Sequence, residues 1–113
     1  MFKADDIANV PFEEKDAGLW IKAHADKPSP LVMSSHITPA FYAGAKHIYL
    51  PDEDLPTIVE YAKLRKTDYL VFSERRMRDA PAVFADDAPQ GLKLVYRNMK
   101  APNYGILVFQ LSP

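Results

Sequence analysis

The 113-residue chain contains no cysteine, which excludes a disulfide-stabilised scaffold, a thiolate metal site and a cysteine nucleophile. Long hydrophobic runs are also missing. The longest stretches of large aliphatic or aromatic residues, Tyr69–Phe72 and Ile106–Phe109, are far shorter than the roughly 20 residues of a membrane span. The first residues, MFKADDIANVPFEEK, lack the apolar core of a signal peptide. We therefore expect a soluble single α/β domain over residues 1–113, with residues 1–10 loosely held.

Three further absences argue against nucleic-acid binding, a phosphate-binding loop and a metal site. The formal net charge of −1 gives no general attraction to nucleic acid, so no nucleic-acid partner is expected. The four glycines are scattered and form neither a GxGxxG nor a Walker sequence, so no phosphate-binding loop and no cofactor are predicted. His24, His36 and His47 are too far apart for a helical metal-binding pair, and no HExxH sequence exists, so no metal site is predicted.

What the chain does contain is an alternation of strand and helix patterns between Leu31 and Arg76. The segments are LVMSS, TPAFYAG, HIYL, DLPTIVEYAKLRK and YLVFS. Two crossover units of this kind predict a shared parallel sheet, with the very apolar YLVFS at its centre. LKLVYR and ILVFQL follow and predict a C-terminal antiparallel hairpin. The predicted fold is a mainly parallel, Rossmann-like sheet of about five strands with that hairpin and helices on both faces.

The helices have recognisable ends. PFEEKDAGLWIKAHA predicts a first helix whose inward side carries Phe12, Leu19, Trp20 and Ala23. Thr38 is expected to cap the next helix, and Gly44 to end it.

A third helix should extend from about residue 55 to residue 66, capped by Asp52 or Asp54. Its predicted inward stripe consists of Leu55, Ile58, Val59 and Ala62. A short helix is also expected within APAVFADDAP, after the polar turn ERRMRD.

Polar side chains follow the first and third predicted strands. Ligands of doubly wound folds bind beyond the carboxyl ends of the strands, so these two loops should face one site. The candidate ligand-binding residues are Ser35, His36, Tyr42, Glu74 and Arg75. Hydroxyls, an imidazole, a carboxylate and a guanidinium could hold an anion or a sugar. The simpler alternative is a capped helix and a solvated charged turn.

Two patterns resemble catalytic motifs only weakly. Ser35 and His36 could suggest a nucleophile with its base, but adjacent residues rarely have the required geometry and no GxSxG sequence is present. Asp52-Glu53-Asp54 resembles the metal-binding DxD of nucleotide-sugar transferases, yet it precedes a helix, where acidic residues are expected as caps. No catalytic residue is predicted in this chain.

The segment PAFYAGAKHIYLPDEDLPTIVEYAKLRKTDYLVFSERR resembles the C-terminal soluble region of bacterial membrane glycosyltransferases related to the protein O-mannosyltransferases (glycosyltransferase family 39). The phrases FYAG and DYLV, in this order, carry the resemblance together with AGLWIKAHA, LKLVYR and ILVF. The likeness extends from about Ala17 to Leu111, and its motifs consist of packing residues.

The resemblance implies a fragment of a larger membrane enzyme that transfers a mannose-like sugar from a polyprenyl-phosphate donor. The family's catalytic acidic residue lies in an early extracytoplasmic loop that this chain does not contain. The domain would then be a non-catalytic accessory unit on the periplasmic side of the cytoplasmic membrane. Its partners would be the membrane-embedded part of the same polypeptide and an acceptor glycan or protein. The rival hypotheses are a stand-alone binding module for a small anion, sugar phosphate or nucleotide, and a small independent hydrolase.

Overall fold

The computed structural model describes residues 12–74, 91–101 and 104–112. The helices in these ranges are α1 (Phe12–His24), α2 (Thr38–Ala43) and α3 (Leu55–Leu64). The strands are β1 (Leu31–Ser34), β2 (Lys46–Tyr49), β3 (Tyr69–Ser73), β4 (Leu92–Asn98) and β5 (Ile106–Leu111). The expected polar turn ERRMRD and the short helix within APAVFADDAP lie outside the described residues.

The five strands form one open sheet in the order β2-β1-β3-β5-β4. β1 pairs in parallel with β2 and β3, whereas β5 is antiparallel to both β3 and β4. The predicted hairpin and the central position of β3 are confirmed, but the sheet is mixed and not mainly parallel. The reason is that the second strand of the hairpin inserts beside β3, so half of the pairings become antiparallel.

Strand alternation divides the core into two layers, one on each face of the sheet. On the first face, α3 packs against side chains that include Met33, Leu70, Phe72 and Phe109. The rings of Phe72 and Phe109 meet edge to face at a centroid distance of 5.6 Å. α1 and α2 cover the second face, which carries Val32, Tyr69, Val71, Ile106 and Val108. The expectation of helices on both faces is confirmed.

The buried side of α1 differs from the predicted one. Phe12 and Leu19 are 66% and 43% exposed, and the buried residues are Glu14, Ala17, Gly18 and Ile21. A Cβ on Gly18 would fall against the carbonyl oxygen of Pro39 and 2.9 Å from the Cβ of Tyr42. The small residues of α1 therefore permit close contact with α2. That contact, and not the position of the larger apolar residues, decides which side of α1 is buried.

The helix ends agree with the prediction in two of three cases. Gly44 ends α2 in the left-handed conformation at φ 63°, and Asp54 caps α3 by accepting a 2.9 Å hydrogen bond from the Thr57 N–H. The cap predicted at Thr38 is wrong: Thr38 is the first helical residue, and Ile37 occupies the cap position without a side-chain bond. The Thr38 hydroxyl is engaged elsewhere, as described below.

Candidate functional site

Polar side chains from α1, α2, β1, β2, β3 and the loop after β1 meet at the carboxyl ends of the parallel strands. We call this group the carboxyl-end cluster, and its members are Glu14, Ser34, His36, Thr38, His47 and Ser73. All six lie on the face of the sheet covered by α1 and α2 or in the adjoining loop. Ligand sites of open α/β sheets occur beyond these strand ends, and His36 is the one predicted ligand residue among the six.

Glu14 is the buried charge of the carboxyl-end cluster, with 1% of its surface exposed. The Ser73 hydroxyl at the end of β3 donates a 3.2 Å hydrogen bond to its Oε2 atom. α1 places Glu14 there because residues 14, 17, 18 and 21 share one side of the helix, and this side faces the sheet. A buried carboxylate is costly unless it is paired, so its surroundings must compensate for the lost hydration.

His36 supplies part of that compensation from the loop after β1. Its Nδ1 atom lies 2.7 Å from Thr38 Oγ1 and 3.6 Å from Glu14 Oε1. The first distance is a hydrogen bond, and the second becomes an ion pair when the imidazole is protonated. The side chain is 47% exposed. In the part of the chain that the structure describes, Nε2 makes no hydrogen bond, so it can receive a ligand hydroxyl from solvent.

Ser34 and His47 form the second half of the cluster. His47 Nε2 lies 3.1 Å from both the carbonyl oxygen and the hydroxyl of Ser34, and the Ser34 hydroxyl donates to the His36 carbonyl at 2.6 Å. Since a carbonyl only accepts, Nε2 carries the proton in this arrangement. Burial lowers the pKa of His47, with a smaller contribution from the positive charge that His36 can carry. His47 thus joins β2 to the end of β1.

These bonds also exclude Ser34 as a nucleophile in this arrangement. Its hydroxyl proton is directed at the His36 carbonyl, and the nearest imidazole nitrogen is itself a donor. A serine nucleophile needs an unprotonated nitrogen as its base. The pair is therefore a structural link between β1 and β2.

The five predicted ligand residues are separated by the fold. Ser35, which is half-buried, and His36 lie in the loop that borders the carboxyl-end cluster. Glu74 directly follows Ser73, but its carboxylate accepts the Gly105 N–H at 3.1 Å and so fastens the start of β5. Tyr42 packs against α1, with the Lys15 ammonium 5.4 Å from its ring centroid. Arg75 lies outside the described residues.

Sequence reasoning missed Glu14 as a site residue, because acidic residues early in a helix are expected as partners of the helix dipole. One sequence feature could have identified it. Glu14 stands three, four and seven residues before Ala17, Gly18 and Ile21, which places it on the same side as three residues suited to burial. A carboxylate at such a position is a candidate buried charge.

The acidic triplet before α3 behaves as a helix cap. Hydrogen bonds from the side chain and the backbone N–H of Thr57 lower the pKa of Asp54, in keeping with a capping carboxylate. Within residues 12–74, 91–101 and 104–112, no group of three or more histidine, aspartate or glutamate side chains could hold a metal ion.

Neither a protein-family model, nor a curated protein, nor a solved structure matches this chain. None of the described helices has the length and apolar character required to cross a membrane.

Proposed function

We propose that this chain is the non-catalytic, extracytoplasmic accessory domain of a membrane glycosyltransferase related to the protein O-mannosyltransferases. In this proposal the carboxyl-end cluster contacts hydroxyl groups of the acceptor glycan, and the membrane-embedded part of the same polypeptide performs the transfer. The sugar would come from a polyprenyl-phosphate donor and would be mannose-like. The family resemblance of the sequence is the observation that carries the assignment.

The structural positions of the resembling phrases support an accessory role. Gly44 of FYAG ends α2 in a conformation that favours glycine, and Asp68 of DYLV accepts the Leu31 N–H at 2.7 Å. Tyr69 and Leu70 from the same phrase are core residues of β3. The phrases thus specify a scaffold, as expected of a domain whose parent enzyme has its reactive groups elsewhere.

Binding of a polyhydroxylated acceptor is supported by the chemistry around His36. The half-exposed imidazole presents Nε2 to solvent, while Thr38 and Glu14 hold the opposite side of the ring. A ring fixed in this way can accept a hydrogen bond from a sugar hydroxyl with little further loss of side-chain freedom.

The same electrostatics disfavour the rival interpretation as a module for anions, sugar phosphates or nucleotides. Glu14 and Glu74 both place carboxylates near the ends of β1 and β3. A carboxylate within a few ångströms of a bound anion repels it and so weakens its binding. The described part of the cluster contains no lysine or arginine to offset that repulsion.

The size and location of the native protein test whether this chain is a domain of a membrane glycosyltransferase. Antibodies raised against this domain should detect a membrane-fraction protein several times larger than 12.8 kDa in cells that express the native gene. Protease added to spheroplasts should remove the epitope, since the domain would face the periplasm. A band near 12.8 kDa in the soluble fraction would refute the assignment.

The binding half is tested separately by amide NMR titration of the domain with mannobiose. We expect saturable shifts in residues 34–38 and 73–74, and at least about threefold weaker binding for His36→Gln, which loses the imidazole acceptor. His24→Gln is the matched control, because His24 is an exposed histidine at the other end of α1. Unchanged spectra for residues 34–38 would show that the cluster binds no such glycan, whatever the parent protein is.

A further inference from the structure

A polar pocket lies at the opposite end of the parallel strands, away from the carboxyl-end cluster. It has a volume of about 240 Å³. We call it the amino-end pocket, and its lining consists of Ala25, Asp26, Lys27, Pro30, Asp68, Tyr69 and Gln110. The loop after α1, the starts of β1 and β3, and the end of β5 each contribute part of this lining.

A hydrogen bond and an ion pair hold Asp68 in the lining of the amino-end pocket. Asp68 uses Oδ2 to accept the Leu31 N–H at 2.7 Å and Oδ1 to pair with the Lys27 ammonium at 2.9 Å. The Tyr69 side chain is 4% exposed and lies in the lining together with Asp68 and Gln110. The pocket is thus formed before any ligand arrives, which reduces the entropy cost of binding.

An aromatic group supports the pocket from behind. The Trp20 ring meets the Tyr69 ring edge to face at 6.5 Å and lies 5.4 Å from the Tyr96 ring. These contacts hold the Tyr69 ring, and Tyr69 is itself one of the residues that line the pocket. The rigid part of the lining therefore includes an aromatic side chain as well as the ion pair.

The functional groups of the pocket select for a particular ligand chemistry. Two carboxylates and one ammonium give a formal charge of −1, which opposes anions. Because Lys27 already neutralises Asp68 at 2.9 Å, only the carboxylate of Asp26 remains in the lining to attract a cation. Carboxylates accept, an ammonium donates, and a phenol and an amide do both. Vicinal hydroxyl groups are neutral and can both donate hydrogen bonds to the carboxylates and accept them from the ammonium.

From this convergence we propose that the amino-end pocket binds one neutral, polyhydroxylated molecule the size of a monosaccharide. The volume lies below the roughly 300–1,000 Å³ of pockets for drug-sized ligands, so the pocket accommodates one such ring. The site is separate from the carboxyl-end cluster, and the inference does not depend on the parent protein being a transferase.

Amide NMR titration of the domain with D-mannose, D-glucose, inorganic phosphate and putrescine tests this site. We expect saturable shifts with at least one hexose at Asp26, Lys27, Tyr69 and Gln110, at millimolar affinity, and none with phosphate or putrescine. The titration should extend to about 50 mM, since single small polar ligands bind weakly. Shifts with phosphate or putrescine alone, or no saturable shift in these residues, would overturn the proposal.

Paired tyrosine variants locate the interaction. Tyr69→Phe keeps the ring but removes the hydroxyl, so hexose binding should weaken at least about threefold, in line with the loss of one hydrogen bond. Tyr61→Phe makes the same chemical change on α3, which packs against the other face of the sheet, and should leave hexose binding unchanged. Gln110→Ala provides a second test that avoids the buried ring. Equal affinity in Tyr69→Phe, Gln110→Ala and the unmodified domain would refute the proposed site.

Discussion

Replacing Gly18 by alanine should destabilise the domain, although alanine is the better helix former. Alanine gains about 1 kcal/mol of helix propensity over glycine in a helix interior. Here the added methyl group would lie against the Pro39 carbonyl oxygen, 3.2 Å from its carbon and 2.9 Å from Tyr42 Cβ. Backbone and Cβ atoms cannot rotate away, so α1 and α2 must separate.

Overpacking of this kind typically costs about 1–3 kcal/mol. Contacts with backbone and Cβ atoms place this site in the upper part of that range, at ~2–3 kcal/mol, from which the propensity gain of ~1 kcal/mol is subtracted. We therefore expect Gly18→Ala to lower the free energy of unfolding by a net ~1–2 kcal/mol, a substantial part of the ~5–15 kcal/mol of a typical domain. Urea denaturation followed by Trp20 fluorescence and by circular dichroism measures the change. The slope m should stay constant, because the surface exposed on unfolding is nearly the same.

Gly44→Ala separates this steric effect from a backbone effect. Gly44 has φ 63° and no atom within 4 Å of an added Cβ, so its substitution costs only the left-handed strain, about 1 kcal/mol. Gly44→Asn should recover part of the loss, since asparagine tolerates this conformation. If Gly18→Ala were as stable as the unmodified domain, the close contact between α1 and α2 would be wrong.

Three further predictions concern other parts of the fold. Burial lowers the pKa of His47 below its ordinary 6.5, so the unfolded chain binds a proton at a higher pH than the folded chain does. The free energy of unfolding should therefore fall as the pH drops below about 6.5. Thermal melts at several pH values should show a flatter pH dependence for His47→Gln. Asp54→Ala should lower the melting temperature at neutral pH. The loss should be much smaller near pH 2, where protonation of Asp54 already weakens its cap to Thr57. Asp54→Asn should retain most of the stability. Phe72→Ala should cost about 3–5 kcal/mol by leaving a cavity against Phe109, and a loss below ~1 kcal/mol in urea denaturation would contradict the described core.

Several features of the fold followed directly from local sequence patterns. The three described helices, the C-terminal hairpin and the apolar β3 are encoded by short-range periodicity and by residues such as Gly44 and Asp54, whose effects act within one turn. The loop containing Ser35 and His36 was located for the same reason, since it follows a recognisable strand. Local patterns of this kind can be recognised without knowing what packs against each element.

The remaining features depend on contacts between residues distant in the chain. The apolar spacing of α1 indicated burial of Phe12 and Leu19, yet the close approach of α2 at Gly18 buries the opposite side and carries Glu14 into the sheet. Likewise, the insertion of β5 beside β3 makes the sheet mixed.

The sequence by itself thus determined the kind and order of the elements, because hydrogen bonding and side-chain periodicity act over a few residues. Only the tertiary structure decided which side of α1 is buried, where β5 pairs, and that Glu14, His36 and Ser73 meet. The physical reason is that such choices depend on the shape and polarity of a distant partner surface, which no local pattern contains.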